Sequence, residues 1–204
     1  MGLGNVLLVM YALVCHQGFA GTHQLGKHGY KGQVTVDGVH STAPASVKSL
    51  LDANEAACFC SNRALYAMKN YQKEIRDMFK AGMNFAVFFK HPEFYLQHIG
   101  NRFNQCNKGK INYRNVGRCG TEQGTLAYVT VSHGVAGTLV HLCDEFYESH
   151  QQASVVQHEF GRLENIGDSP DFTTDNIFVW DALIDHLCDE TTYRTLEKQH
   201  GGRK

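Results

Sequence analysis

Residues 124–132 read GTLAYVTVS and residues 137–146 read GTLVHLCDEF, two runs in which apolar and polar positions alternate as in half-buried strands, with His133-Gly134 as the turn between them. The period then changes. Residues 153–166, ASVVQHEFGRLENI, place Val155, Val156, Phe160 and Leu163 at helical spacing, and Gly167 follows as a stop. A small sheet or hairpin leading into an amphipathic helix is therefore expected here. Downstream, Ile177, Trp180, Leu183, Ile184 and Leu187 predict a last helix from about Asp175 to Glu190, with Trp180 in the core, and residues 191–204 read as a tail.

Upstream, apolar residues recur at helical spacing from Ser46 to Gly82. They run through Val47, Leu50, Leu51, Leu65, Met68, Tyr71, Ile75, Met78 and Phe79, as one helix or two joined around Cys58 to Asn62. Pro92 suits the first turn of a further helix carrying Tyr95, His98, Ile99 and Phe103. A polar loop is expected from Asn104 to Gly120. Residues 21–45, rich in Gly, His, Lys and Thr, read as a flexible leader, with order beginning near Ser46. The order is mostly helix with a small sheet, an α+β class, and residues 46–190 form its one domain.

The chain has 204 residues, 19 Lys+Arg against 20 Asp+Glu, and 43% apolar residues. That is enough apolar mass for a real core. A formal net charge of −1 leaves no basic field to gather nucleic acid, and no basic patch is interleaved with aromatics. No stretch reaches the run of about 18 apolar residues that a membrane span needs. No phosphate-binding glycine loop and no G-x-S-x-G elbow occur.

Val6 to Val14, VLLVMYALV, followed by Gly18-Phe19-Ala20, reads as a secretory signal peptide cut after Ala20. Cleavage removes Cys15 and leaves Cys58, Cys60, Cys106, Cys119, Cys143 and Cys188, an even set that suits an oxidising, extracellular compartment. Six cysteines allow fifteen pairings, and a bridge between the near neighbours Cys58 and Cys60 is geometrically poor, so each is expected to reach a distant partner. Cysteine-ligated zinc needs C-x-x-C or Cys-His pairs at ligand spacing, which the chain lacks.

The segment Gln157-His158-Glu159-Phe160-Gly161-Arg162 carries the candidate chemistry. In an H-E-x-x-H helix two imidazoles one turn apart hold zinc, and the intervening glutamate activates water. Here His158 and Glu159 are present and Arg162 takes the last position. His23, His28 and His40 lie close together in the leader, and Asp144, Glu145 and Glu148 form an acidic stretch. Both groups read first as solvated side chains.

Four segments in order, GTLAYV at 124–129, VHLCDEF at 140–146, the His158-Glu159 helix and Thr174-Asp175, resemble the deuterolysin and peptidyl-Lys metalloendopeptidase family, the aspzincins. The resemblance covers about Cys58 to Leu187. It implies a mostly helical zincin-like domain with a short sheet beside the active-site helix, and a secreted peptidase acting on a protein or peptide substrate, next to Lys where the family's acidic specificity residues persist. It places zinc on His158 and Asp175, with Glu159 as general base. It also suggests that Cys119 pairs with Cys143 and that Cys58 or Cys60 pairs with Cys106, Cys188 taking the remaining one.

Two departures bear on activity. Arg162 stands at the second histidine, and a guanidinium has no lone pair to give a metal. Phe178 stands at the tyrosine that would donate to the oxyanion, a loss typically costing about two to three powers of ten in turnover. The resemblance thus implies zinc if the chain is active and no metal otherwise. The alternative is a non-catalytic descendant that binds a partner or peptide, with an ion pair of Arg162 to Asp175 or Glu159 in the metal's place. His141, His150 and His186 are the imidazoles that would have to substitute for the missing ligand.

Overall fold

The computed structural model describes residues 21–25, 30–38, 40, 42–79, 92–119, 125–132, 135–164 and 177–201. The expected signal peptide lies outside them, as do the His133-Gly134 turn, Gly167 and Asp175.

Helix α1, Pro44–Asn70, is the spine. Pro44 opens it at a position where a missing N–H costs nothing. At about 1.5 Å per residue its 27 residues extend roughly 40 Å, long enough to serve two cores. Leu50, Ala53 and Ala57 pack in one cluster, and Ala64, Leu65, Ala67 and Met68 in the other. The helix ends at Tyr71, whose N–H donates to the carbonyl of Ala67 at 2.7 Å, and α2, Gln72–Phe79, follows. The break therefore falls at Tyr71, not around Cys58 to Asn62.

Helix α3, Pro92–Lys108, begins at the expected proline. The expected polar loop after it is a strand, β3, Lys110–Gly117. Its inward positions are Ile111, Tyr113 and Asn115, while Val116 points outward. A buried amide and an exposed valine blur the two-residue period by which strands are recognised.

The described residues of the expected leader form strands. Strands β1, Gly21–Gln24, and β2, Gln33–Gly38, join β3, β4 (Ala127–Ser132) and β5 (Val135–Cys143) in one mixed sheet of order β1-β2-β3-β5-β4. The central pairings β2/β3 and β3/β5 are parallel, and the outer ones β1/β2 and β4/β5 are antiparallel. Val34 and Val36 of β2 enter the core beside Ile111, Tyr113, Val140 and Leu142. Only two buried valines mark this strand, too few to stand out among the polar residues around them. Gly38, at φ 94°, lets the backbone approach Asn115 so closely that a Cβ would lie 2.2 Å from its carbonyl oxygen.

After a 3-10 turn at Asp144–Glu148 come α4, Gln152–Leu163, and α5, Ile177–Cys188. The expected tail forms another helix, α6, Glu190–Gly201. Leu196 buries it in the second core, where Leu183, Ile184 and Leu187 also lie. Arg63 of α1 secures the junction, donating to the Cys188 carbonyl and to the Glu190 carboxylate. The fold class is α+β, mostly helical, as the sequence predicts.

Three disulfides, Cys58–Cys106, Cys60–Cys188 and Cys119–Cys143, join α1 to α3, α1 to α5, and the end of β3 to the end of β5. Their Cα–Cα distances of 5.9, 4.8 and 5.4 Å lie within the ordinary range. These pairings agree with those the resemblance suggests. Among the described residues no helix is long and apolar enough to cross a membrane.

Candidate functional site

Helix α4 forms because its apolar residues repeat every three to four positions. Val156 and Phe160 are buried against the sheet and α1, with Val155 and Leu163 packed beside them. Fully burying a side chain such as Phe160 is worth about 1.5–3 kcal/mol, so this face anchors the helix. The anchoring sets which residues look elsewhere. Ser154, Val155, His158 and Glu159 border a cavity of about 430 Å³. Thr125, Leu126 and Ala127 at the start of edge strand β4 form another wall, and Asp181 and Asp185 of α5 a third.

Two polar pairs join α4 to α5. His158 Nδ1 lies 2.7 Å from Asp181 Oδ2, and the Gln157 side-chain amide donates to Asp185 Oδ1 at 3.4 Å. Asp181 and Asp185 are one turn apart and so lie on one face of α5. Burial works against a charged His158. The hydrogen bond and charge of Asp181, together with Glu159, outweigh burial and the opposing charge of Arg162, and the imidazole pKa is raised. Burial also lifts the Asp181 carboxyl, which His158 only partly offsets. At 2.7 Å the imidazole and the carboxyl make one short hydrogen bond between the two helices.

The expected site residues fare differently. His158 and Glu159 do come together on the cavity wall, and Glu159 is only 4% exposed. Asp175 lies outside the described residues. Phe178 and Trp180 fall in the first turn of α5, and their side chains are not described. His158 is held by Asp181, a residue the sequence reading did not single out. Two acids four apart, Asp181 and Asp185, within the largely apolar run Ile177 to Leu187 were the available signal.

The candidate substitute imidazoles do not reach the site. Of His141, His150 and His186, none is among the described residues lining the cavity. His141 stacks on Tyr128, ring centroids 4.6 Å apart, and burial and the nearby Arg114 charge lower its pKa. In the expected leader, His40 packs against Tyr147 and meets Asp144 at 3.0 Å, while Glu145 and Glu148 are exposed.

The described donors do not fit a zinc centre. With Nδ1 on Asp181, His158 keeps Nε2 for a metal, the usual arrangement of a zinc-bound histidine, but the position one turn on is a guanidinium, which has no lone pair to give and whose charge already acts on His158. Among the described residues no group of three or more His, Cys, Asp or Glu is arranged to hold an ion. What the arrangement does provide is a cleft with three carboxyl groups, Glu159, Asp181 and Asp185, and one imidazole, next to a strand at the sheet edge. Comparison of the sequence with protein-family models and with curated proteins finds no match to either.

Proposed function

We propose that this chain is a secreted, disulfide-bonded protein that keeps an aspzincin-like scaffold and uses the cleft beside α4 to bind a peptide or protein segment without zinc hydrolysis. The observation that carries this reading is the guanidinium of Arg162, one turn after His158 at the expected second-ligand position, which has no lone pair for a metal and whose charge already acts on His158. The cleft suits an extended segment. Its floor is a helix, one rim is the lead into edge strand β4, and an exposed strand edge pairs readily with added backbone. Its carboxyl groups favour a basic side chain on the bound segment. Three disulfides support the extracellular assignment, since such bridges persist in oxidising compartments.

A second reading, a zinc endopeptidase, is favoured by the side-by-side placement of His158 and Glu159 on the cavity wall. Elemental mass spectrometry of the purified protein, paired with cleavage of a lysine-containing protein with and without chelator, separates the two. The binding reading expects substoichiometric zinc, no chelator-sensitive cleavage, and saturable binding of lysine-containing peptides by calorimetry. Stoichiometric zinc with chelator-sensitive cleavage overturns it.

A further inference from the structure

The sheet has a second face that neither core uses. Val34, Val36, Ile111, Tyr113, Val140 and Leu142 point inward and pack with Leu50, Ala53 and Phe160 of the helices. Side chains that alternate with them along each strand therefore point the other way. On β3 these are Lys110, Asn112, Arg114 and Val116, and Lys110, Arg114 and Val116 are exposed.

Strand register builds a charged surface here that the linear sequence does not display. Asp37, Arg114, His141 and Tyr128 fall in one row across four neighbouring strands, about 14 Å wide at the usual strand spacing. Arg114 meets Asp37 through Nε at 3.4 Å, and its two Nη groups are left for another acceptor. Asp37 is the only Asp or Glu in the five strands, and its Oδ1 already accepts from the Gly38 N–H at 2.8 Å.

Three lysines meet where β3 begins. The Lys31 N–H donates to the Asn107 carbonyl at 3.1 Å, and the Gln33 N–H to that of Gly109 at 2.9 Å, so residues 31–33 run beside the end of α3. This brings Lys31 alongside Lys108, which closes α3, and Lys110, which opens β3. All three are exposed, as is Arg118 just beyond the other end of the strand. No ion pair joins any of these four to a described carboxylate. Lys110 and Arg114 lie about 13 Å apart along the strand, so the cations form a stripe along β3. In a chain of net charge −1 this is a local separation of charge.

We propose that the outer face of the sheet binds a linear sulfated polysaccharide along β3. Charge complementarity selects the occupant: a stripe of spaced cations matches a polymer that repeats its anions, whereas a single anion would engage only part of it. The lysines act as point charges, and Arg114 offers a fork to one sulfate. Thr35 and Asn112, paired in register on the same face, supply donors and acceptors for sugar hydroxyls. A single-stranded nucleic acid would instead need open ring faces for its bases, and one face of Tyr128 is covered by His141. The three disulfides suit an oxidising compartment, where sulfated polysaccharides are abundant linear polyanions. The inference shares only that compartment with the cleft reading and does not depend on the cleft.

The test is surface plasmon resonance of the full chain over immobilised heparin at about 0.15 M salt. Expected is saturable binding that weakens as salt is raised and is lost on desulfated heparin. Lys110→Ala combined with Arg114→Ala weakens it at least about tenfold, the product of two contacts each worth up to several-fold. Lys69→Ala combined with Lys198→Ala removes the same charge from exposed positions on α1 and α6 and changes affinity by less than about threefold. Absence of binding by the wild-type chain overturns the proposal without reliance on any variant's folding. Equal losses from the two double variants would show attraction to net charge alone and overturn it too. Tighter binding of single-stranded RNA of matched charge than of heparin would assign the face to nucleic acid and overturn the polysaccharide.

Discussion

Asp181 and His158 meet at 2.7 Å across the packing of α5 on α4, while the neighbouring contact of Gln157 with Asp185 is stretched to 3.4 Å. The first contact involves an ionisable pair at short range and the second lies near the limit of a hydrogen bond. Asp181→Ala is expected to cost about 1–3 kcal/mol in urea-denaturation midpoints. Asp185→Asn, on an exposed residue, should stay within about 0.5 kcal/mol. Equal losses from the two would show that the helices are not held by the shorter contact.

Glu164, at the C-terminal end of α4, makes an acid-sensitive contact between α4 and α3. It accepts from Arg102 at 2.7 Å and from Asn101 at 3.1 Å, and lies 3.4 Å from His98. Burial raises its pKa, but the nearby His98, the Arg102 charge and the Asn101 hydrogen bond outweigh burial and hold it below the ordinary 4.5. A carboxyl depressed in the folded state contributes stability above its unfolded pKa and loses it as pH falls through the folded value. The stability difference between wild type and Glu164→Gln is therefore expected to be about 1–3 kcal/mol near neutrality and to shrink below pH 4.5. A difference that grows on acidification would reverse the assignment.

Cys60–Cys188 spans 128 positions and joins α1 to the end of α5 beside the second core. Replacing both cysteines by serine should cost about 2–5 kcal/mol, measured by thermal unfolding under non-reducing conditions. The second core, with Leu183, Ile184, Leu187 and Leu196, should loosen first in hydrogen exchange, ahead of the sheet.

The correspondence of α4 with the zinc-binding helix has its own check. Arg162→His combined with Phe178→Tyr supplies the second imidazole and the hydroxyl that the resemblance requires. The double variant is expected to bind zinc at least tenfold more tightly than wild type by competition with a chromogenic chelator. No gain would mean that the helix has been aligned wrongly.

Much of this architecture was legible where burial is one-sided. Helix α4 announces itself through Val155, Val156, Phe160 and Leu163, and β4 and β5 through alternation. β1, β2 and β3 were hidden because their inward positions are few or polar. Asn115, for example, is buried and accepts from the Tyr147 hydroxyl at 2.5 Å, a role that composition cannot reveal. Helix α6 was missed because only Leu196 and Tyr193 pack on the core in an otherwise polar stretch, and Arg63 of α1 reaches it over a long sequence distance, at Glu190 and over the Tyr193 ring. At the site, the motif brought out His158 and Glu159, whereas Asp181 matters through a contact made 23 residues away. Only packing of α5 on α4 creates that proximity.

The bridge between the long first helix and the end of the fifth has a practical corollary. Any single backbone scission between residues 61 and 187 yields two fragments that remain covalently linked through Cys60 and Cys188. A nicked molecule would run as one species on a gel until a reductant is added, and its halves would not diffuse apart while the bridge is intact.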